Sequence, residues 1–289
     1  MKRFFTAFLV ASSLILQLGF FSCTTKPTEY AILIDSLTVD SICPLFHTYE
    51  KPACHFSLKM AVPYVEENSE LSHSIERFLA SIPRQGAFAS DGDGSLQSMA
   101  DNYLHTYVLQ YLEEGKEAID SYGEDLQAAA TWMSYEETVT GEVASVQEQF
   151  LSYQMKIFSF MGGAHGNLIT LNRVFDMANQ QTLSLANLFS EESLVVVAEK
   201  IRLDLAHQND CETLDDLVAK SIFFSVNDIE PNDNFLLNNE GIVWTYDPYE
   251  IAPYVYGTIE VMLPWKEIVN LLDPDSPLDA FVESKTANV

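Results

Sequence analysis

A long run of strand-like sequence, interrupted by a glycine-rich turn, leaves this chain few folds other than one built on an antiparallel sheet. Over residues 143–160 apolar and polar side chains alternate with a period of two, which is typical of a half-buried strand. The glycine-rich run 162–166 ends this segment, and a second strand-like segment follows over 167–177. A preceding strand is predicted over 129–139, with a turn at Gly141. Successive strands with short turns usually form a meander with one face in solvent.

Helical periodicity flanks these strands on both sides. Ser190 precedes two glutamates and a run of apolar residues at helical spacing, so we expect it to cap a helix. Because helices and strands do not alternate regularly, the pattern favours an α+β fold. We expect two intimately packed subdomains, each a mainly antiparallel sheet with helices packed on it. The other predicted helices begin near 69, 96, 213 and 264, and the other predicted strands cover 54–63, 235–237, 242–246 and 259–263.

The first 22 residues have the pattern of an export signal, with a basic start and a short apolar run. A small residue precedes Cys23, which favours a lipoprotein signal whose mature N-terminus is an acylated Cys23; ordinary secretion with cleavage nearby is the alternative. An acyl chain tethers a protein to a membrane face without spanning it. We therefore expect a signal peptide over 1–22, a tether over 23–50, and a location in the cell envelope, at the periplasmic or outer-membrane face.

The mature chain is strongly acidic. Removal of residues 1–22 leaves 13 basic against 42 acidic residues, a formal charge of −29. Such a charge repels nucleic acid and accelerates encounters with cationic partners, although it can also serve solubility alone. We therefore expect no nucleic-acid partner.

Three cysteines remain after Cys23, and in an oxidising compartment one disulfide is plausible. Cys43 and Cys54 give the shortest closure, but pairings with Cys211 stay open. No Cys-x-x-Cys motif occurs, and Asp101 and His105 on one helix face lack a third metal ligand. No metal site and no cofactor is predicted.

Three motifs indicate a family resemblance. They are the Gly-Gly-Ala-His-Gly run at 162–166, Leu-Ser-Leu-Ala-Asn-Leu-Phe at 183–189, and Tyr-Asp-Pro-Tyr-Glu-Ile-Ala-Pro-Tyr at 246–254. In these motifs the chain resembles the RsiV-like family of extracytoplasmic proteins, which joins a PdaC-like N-terminal domain to a C-terminal domain of unknown function. The resemblance implies a PdaC-like domain over 51–160, an RsiV-like domain over 161–275 and a tail over 276–289.

Similar domain pairs occur in envelope lipoproteins, beside peptidoglycan deacetylase domains, and on the outer part of anti-sigma regulators that bind lysozyme. This chain shows neither the regulators' sigma-binding segment nor a deacetylase domain. The resemblance therefore implies a lipid-anchored binding protein whose ligand is lysozyme, another cationic protein or a peptidoglycan fragment. An enzyme acting on cell-wall glycan or peptide, or a structural envelope component, is the alternative.

The motifs also supply the candidate ligand-binding residues. Each has a structural alternative: the glycines can serve a tight turn, His165 can bond to its own hairpin, the tyrosines can be core, and Glu250 can fix its loop. No catalytic motif such as Gly-x-Ser-x-Gly or His-Glu-x-x-His is present, and no catalytic residue is predicted. The candidates are Gly162, Gly163, His165, Gly166, Tyr246, Tyr249, Glu250 and Tyr254.

Overall fold

Two sheets, one of six strands and one of three, organise the part of the chain that the structure describes. The computed structural model describes residues 32–45, 52–65, 69–80, 95–122 and 132–286. The predicted signal peptide and Cys23 lie outside these residues. Helices pack on each sheet, so the predicted α+β class with two subdomains is confirmed.

The larger sheet has the strand order β1-β2-β3-β4-β5-β6. All neighbouring strands are antiparallel except β2 and β3, which are parallel. A parallel pair needs a long crossover, and the helices α1 (Ser69–Leu79) and α2 (Leu96–Tyr122) lie in that connection. The strands are β1 (Ile32–Pro44), β2 (Ala53–Val65), β3 (Tyr135–Gln147), β4 (Phe150–Met161), β5 (Asn167–Asp176) and β6 (Gln181–Thr182).

One face of the larger sheet is buried under α1 and α2. Alternate residues of β2, including Phe56, Leu58 and Met60, join apolar residues of both helices in one core. Tyr103 and Tyr107 of α2 contact the ring of Phe56 from above. The opposite face of β1 to β4 carries mainly polar side chains, as a meander with one wet face requires.

The smaller sheet lies in the second half of the chain. Its core is built around Trp244 and Ile201, with Trp265 and Phe281 stacked edge to face. Ser190 caps the first helix as expected, because the Ser193 amide donates to its hydroxyl at 3.2 Å. The elements are α3 (Glu191–Gln208), α4 (Leu214–Lys220), β7 (Phe235–Leu237), β8 (Gly241–Tyr246), β9 (Ile259–Pro264), α5 (Trp265–Ile268) and α6 (Asp279–Thr286).

Hydrogen bonds join the two units directly. The Leu237 amide on β7 donates to the Ser152 hydroxyl on β4 at 3.0 Å. The Asn172 amide on β5 donates to the Asn234 side chain at 2.7 Å, and Asn234 Nδ2 donates to the Thr170 carbonyl at 2.8 Å. The smaller sheet is therefore built against the end of the larger one.

Parts of the predicted tether and of the predicted tail form regular elements. Residues 32–44 of the predicted tether form β1, because Leu37 and Val39 face the helices and are buried. Residues 279–286 of the predicted tail form α6, because Leu278, Phe281 and Val282 are buried in the second core.

Two boundaries also differ from the sequence prediction. The larger sheet continues through β6, past the predicted domain boundary at 160. Gly141 lies within β3 and not at a turn. A β-carbon at this position would overlap the Tyr153 hydroxyl, which favours glycine there. The turn that joins β3 to β4 lies at 148–149. No helix within the described ranges has the length and apolar character that a bilayer crossing requires.

Candidate functional site

Two loops from the two units meet at the surface. The glycine-rich turn after β4 brings the His165 ring onto the Tyr254 ring, with ring centroids 3.9 Å apart and planes 19° apart. The Tyr249 hydroxyl lies 3.4 Å from His165 Nε2, and the Tyr249 and Tyr254 rings are 5.8 Å apart. We call these three residues the aromatic cluster. The structure thus brings together three of the side chains singled out from the sequence.

The aromatic cluster faces solvent. Tyr249 is 54% exposed and His165 is also exposed. Val255 and Tyr256, directly after Tyr254, are 82% and 47% exposed. Aromatic surface of this kind, grouped at a junction between two units, is typical of a binding surface.

The glycines of the turn have separate roles. Gly162 has a φ of 72°, and a β-carbon there would overlap the Trp132 carbonyl. Gly166 is buried against the Phe158 ring, which leaves no room for a side chain. Gly163 is exposed, and a β-carbon there would have its nearest neighbour 3.9 Å away. Gly162 and Gly166 therefore shape the turn, and Gly163 is the one of the three whose surface is open to a ligand.

Tyr246 does not belong to the aromatic cluster. It is 1% exposed, and its hydroxyl donates to the Glu230 carbonyl at 2.9 Å. Burial raises the pKa of its phenol well above the usual range. Tyr246 is a core residue of the second unit, because it lies at the end of β8 on the same face as Trp244.

Glu250 fixes the loop that carries Tyr249. One carboxylate oxygen accepts the Asp247 amide at 2.9 Å, and the other accepts Asn232 Nδ2 at 2.8 Å. Tyr249 itself has a φ of 70°, so these bonds hold a backbone conformation that tyrosine rarely adopts. Glu250 is exposed as well, so its charge also contributes to the outer surface.

Asp247 is a residue that the sequence reasoning missed. Its two carboxylate oxygens accept the Thr170 amide of β5 at 2.9 and 3.1 Å, so it ties the loop to the larger sheet. Burial raises its pKa from 3.8 to about 6; the Thr170 amide lowers the pKa and the charge of Glu250 raises it further. The sequence feature that could have indicated Asp247 is its position in an Asp-Pro pair directly after a predicted strand.

The three cysteines that the structure describes lie in two regions. Cys43 on β1 lies directly opposite Cys54 on β2, and both are free thiols. Burial raises the pKa of Cys54 to about 12, and Cys43 beside it adds to the shift. Cross-strand neighbours are close enough to be bridged, so the Cys43–Cys54 disulfide stays a prediction. Cys211 is buried in the second unit. Within the described ranges, no three His, Cys, Asp or Glu side chains are grouped as metal ligands.

Comparison with protein families agrees with the two-unit architecture. Residues 50–168 match the family model described as deacetylase PdaC, and residues 186–266 match the one described as a protein of unknown function (DUF3298). A search of the curated proteins found no match. The protein thus carries a PdaC-like domain followed by a DUF3298 domain.

Solved structures share this fold. A DUF3298 family member from Bacteroides fragilis NCTC 9343 has a TM-score of 0.76 and 24% identity, covering 88% of this chain and 98% of its own. A DUF3298 family protein from Pseudomonas aeruginosa PAO1 has a TM-score of 0.58 and 17% identity, covering 85% and 96%. At these identities the likeness establishes the fold alone.

Proposed function

We propose that this protein is an exported envelope protein, lipid-anchored through Cys23, that binds a cationic protein, with a lysozyme as the first candidate. The RsiV-like resemblance of the sequence motifs suggests this ligand. The formal charge of −29 on the chain without residues 1–22 supports it, because a strongly acidic surface accelerates encounters with a basic partner. Charge alone does not select among basic partners, so specificity has to come from a local surface.

The exposed aromatic cluster is the observation that carries the proposal. Its rings come from both units: Glu250 and Asp247 fix the loop that carries Tyr249, and His165 stacks on Tyr254, so the cluster is ordered without a partner. Ordered aromatic side chains lose little entropy on binding and are common hot spots. Their π faces, next to the exposed Glu250 carboxylate, suit the arginine and lysine side chains of a basic partner.

One observation favours the enzyme alternative. The raised pKa of Asp247, near a histidine-containing cluster, is a feature of many catalytic carboxyl groups. Both Asp247 oxygens are however bonded to the Thr170 amide, which is a positioning contact within the fold. A binding role therefore accounts for the geometry better than acid–base catalysis does.

Calorimetric titration tests the binding proposal. The chain from residue 24 onward would be titrated with hen lysozyme and with cytochrome c, an unrelated cationic protein, at low and at near-physiological salt. We expect micromolar or tighter binding to lysozyme alone, persisting in salt. Weak binding to both proteins that disappears with salt would contradict the proposal and would mean that the acidic charge serves solubility alone.

Variants locate the surface. Tyr249→Ala should weaken lysozyme binding by at least about tenfold, because exposed anchor tyrosines dominate such interfaces. Leu109→Ala is the control, since Leu109 is 53% exposed on α2, in the other unit. Equal affinities of the two variants would place the contact elsewhere.

The anchor is tested separately by cell fractionation. Wild-type protein should be in the membrane fraction and take up labelled palmitate, whereas Cys23→Ser should do neither. Membrane retention of the variant without label would contradict the lipid anchor.

A further inference from the structure

The sheet face turned away from α1 and α2 carries a row of hydrogen-bond donors. Strand register pairs Thr38 with Lys59, Lys59 with Thr140, Thr140 with Lys156, and Lys156 with Thr170. Side chains of paired residues lie on the same face, so one residue from each of β1 to β5 forms a continuous line. We call it the lysine–threonine row. Each of its side chains can donate hydrogen bonds.

The two lysines of the row have no ion-pair partner in the part of the chain that the structure describes. The chain has 42 acidic and 15 basic residues, yet Lys59 and Lys156 form no ion pair with any described carboxylate. Both are exposed, and with two strand spacings between them their α-carbons are about 10 Å apart. Two ammonium groups on either side of Thr140 are therefore open to an anionic ligand.

A buried polar group marks one end of the row. Thr170 is 1% exposed, and its hydroxyl has no hydrogen-bond partner among the described residues, nor has the buried hydroxyl of Thr258. Both threonines line a cavity of about 220 Å³, together with Lys156, Leu168 and Glu260. Leaving a buried hydroxyl without a partner is costly, so a ligand whose oxygen atoms reach these two hydroxyls gains binding energy from them.

A larger cavity continues along the row. It has a volume of about 670 Å³, and its lining includes Lys59, Thr140, Lys156, Gln154 and Glu142. Lys156 lines both cavities, so they adjoin at this residue, and we call the pair the groove. The volume lies in the range of sites for small organic ligands and exceeds what a single inorganic anion would occupy.

We propose that this groove binds an acidic saccharide. The lysines would take its carboxylates, and the threonine hydroxyls would bond to ring and hydroxyl oxygens. Asp35, Glu142 and Glu260 also line the groove, and their carboxylates can accept hydrogen bonds from sugar hydroxyls. The site uses none of the residues of the aromatic cluster and is independent of the proposed protein binding.

Titration with a matched pair of sugars tests this site. The chain from residue 24 onward, which contains every described residue, would be titrated with galacturonic acid trisaccharide and with its methyl ester. The ester keeps every ring and hydroxyl but removes the charges. We expect millimolar or tighter binding of the acid and at least about tenfold weaker binding of the ester, because hydrogen bonds to charged groups are the stronger ones.

Substitutions then identify the groove. Lys156→Gln and Lys59→Gln should each weaken binding of the acid by about tenfold, whereas Lys116→Gln, which removes the same charge from α2 on the opposite side of the sheet, should not. Thr170→Val should weaken binding about threefold or more without lowering the melting temperature, because the buried hydroxyl has no partner among the described residues to lose.

Three results would overturn the proposal: no binding of the acid at high millimolar concentration, equal affinity for acid and ester, or equal effects of Lys156→Gln and Lys116→Gln. Lysozyme titration of the same variants separates the two proposals, because the groove variants should retain full lysozyme affinity.

Discussion

At the scale of single residues, Asp247 links the candidate site to the stability of the fold. Its pKa is about 6 in the folded protein against an ordinary value of 3.8. The folded state therefore binds more protons than the unfolded state between these values, and the free energy of unfolding falls as pH rises through this window. A shift of this size corresponds to about 3 kcal/mol for a fully buried group, and solvent screening at this half-buried site reduces the contribution to about 2 kcal/mol or less, which is lost as the pH rises to about 6.

Asp247→Asn should remove this pH dependence. The amide oxygen still accepts the Thr170 amide, and no charge is buried, so we expect the variant to gain up to about 2 kcal/mol at pH 7.5 and nothing at pH 4. Urea denaturation at both pH values measures the difference from wild type. Asp120→Asn, at an exposed site, is the charge-matched control. A variant that is less stable than wild type at pH 7.5 would show that the carboxylate charge stabilises the loop.

Gly162→Ala should destabilise the protein by about 2–4 kcal/mol, because alanine is strained at a φ of 72° and its β-carbon would overlap the Trp132 carbonyl. Gly163→Ala, one residue on, should change the free energy of unfolding by less than about 0.5 kcal/mol. Thermal denaturation of the pair measures both. Equal melting temperatures would mean that the turn is not held against Trp132.

Only part of the candidate site could be predicted at this scale. The sequence indicated His165, Tyr249 and Tyr254 because they lie in unusual motifs. It indicated their neighbours in the same motifs for the same reason. Sequence periodicity does not tell a buried from an exposed aromatic residue at the end of a strand, so Tyr246 could not be separated from Tyr249.

At the scale of elements, α6 shows how a short segment becomes part of a core. The Phe281 ring lies 5.4 Å from the rings of both Phe150 and Trp265, so α6 bridges β4 of the larger sheet and α5 of the second unit. Its eight residues have too little periodicity to be told from a polar tail before their partners are known.

Phe281→Ala should lower the free energy of unfolding by about 3–4 kcal/mol, because it leaves a cavity between two aromatic rings. Val195→Ala, an apolar truncation at a 68% exposed position of α3, should cost less than about 0.5 kcal/mol. Urea denaturation measures both. A loss for Phe281→Ala no larger than that of the control would show that this segment does not pack in the core and belongs to the tail that the sequence predicts.

Strand β1 was not predicted either, because its sequence lacks a clear period. It lies at the edge of the sheet, and its apolar residues point both ways: Leu37 is buried, whereas Ile34 and Ile42 are 58% and 60% exposed. The alternation that indicates a strand is therefore absent, and only its pairing with β2 makes it one.

At the scale of the whole molecule, the side chains between the sheets make the two units one structure. Asn234 accepts the Asn172 amide and donates to the carbonyls of Thr170 and Thr245, so it bonds to both sheets. We expect a single cooperative unfolding transition, because neither unit keeps these backbone groups bonded without the other.

Asn234→Ala should lower the free energy of unfolding by about 2 kcal/mol and keep one transition at a lower temperature, since it leaves buried backbone groups without partners. Asn270→Ala, at an exposed position, is the control. Differential scanning calorimetry measures both. Two separate transitions in the wild type would contradict the coupling of the units.

Short-range patterns were sufficient for the α+β class, the Ser190 cap and the hairpin of β7 and β8, because alternation, caps and turns depend on neighbouring residues. Contacts between distant residues decided the rest. The stacking of His165 on Tyr254, the burial of Tyr246 and the alignment of Lys59 with Lys156 arise only when the two sheets and the strand register are in place. The periodicity of the sequence indicates which face of a helix or strand a residue occupies, but only tertiary packing decides what covers that face.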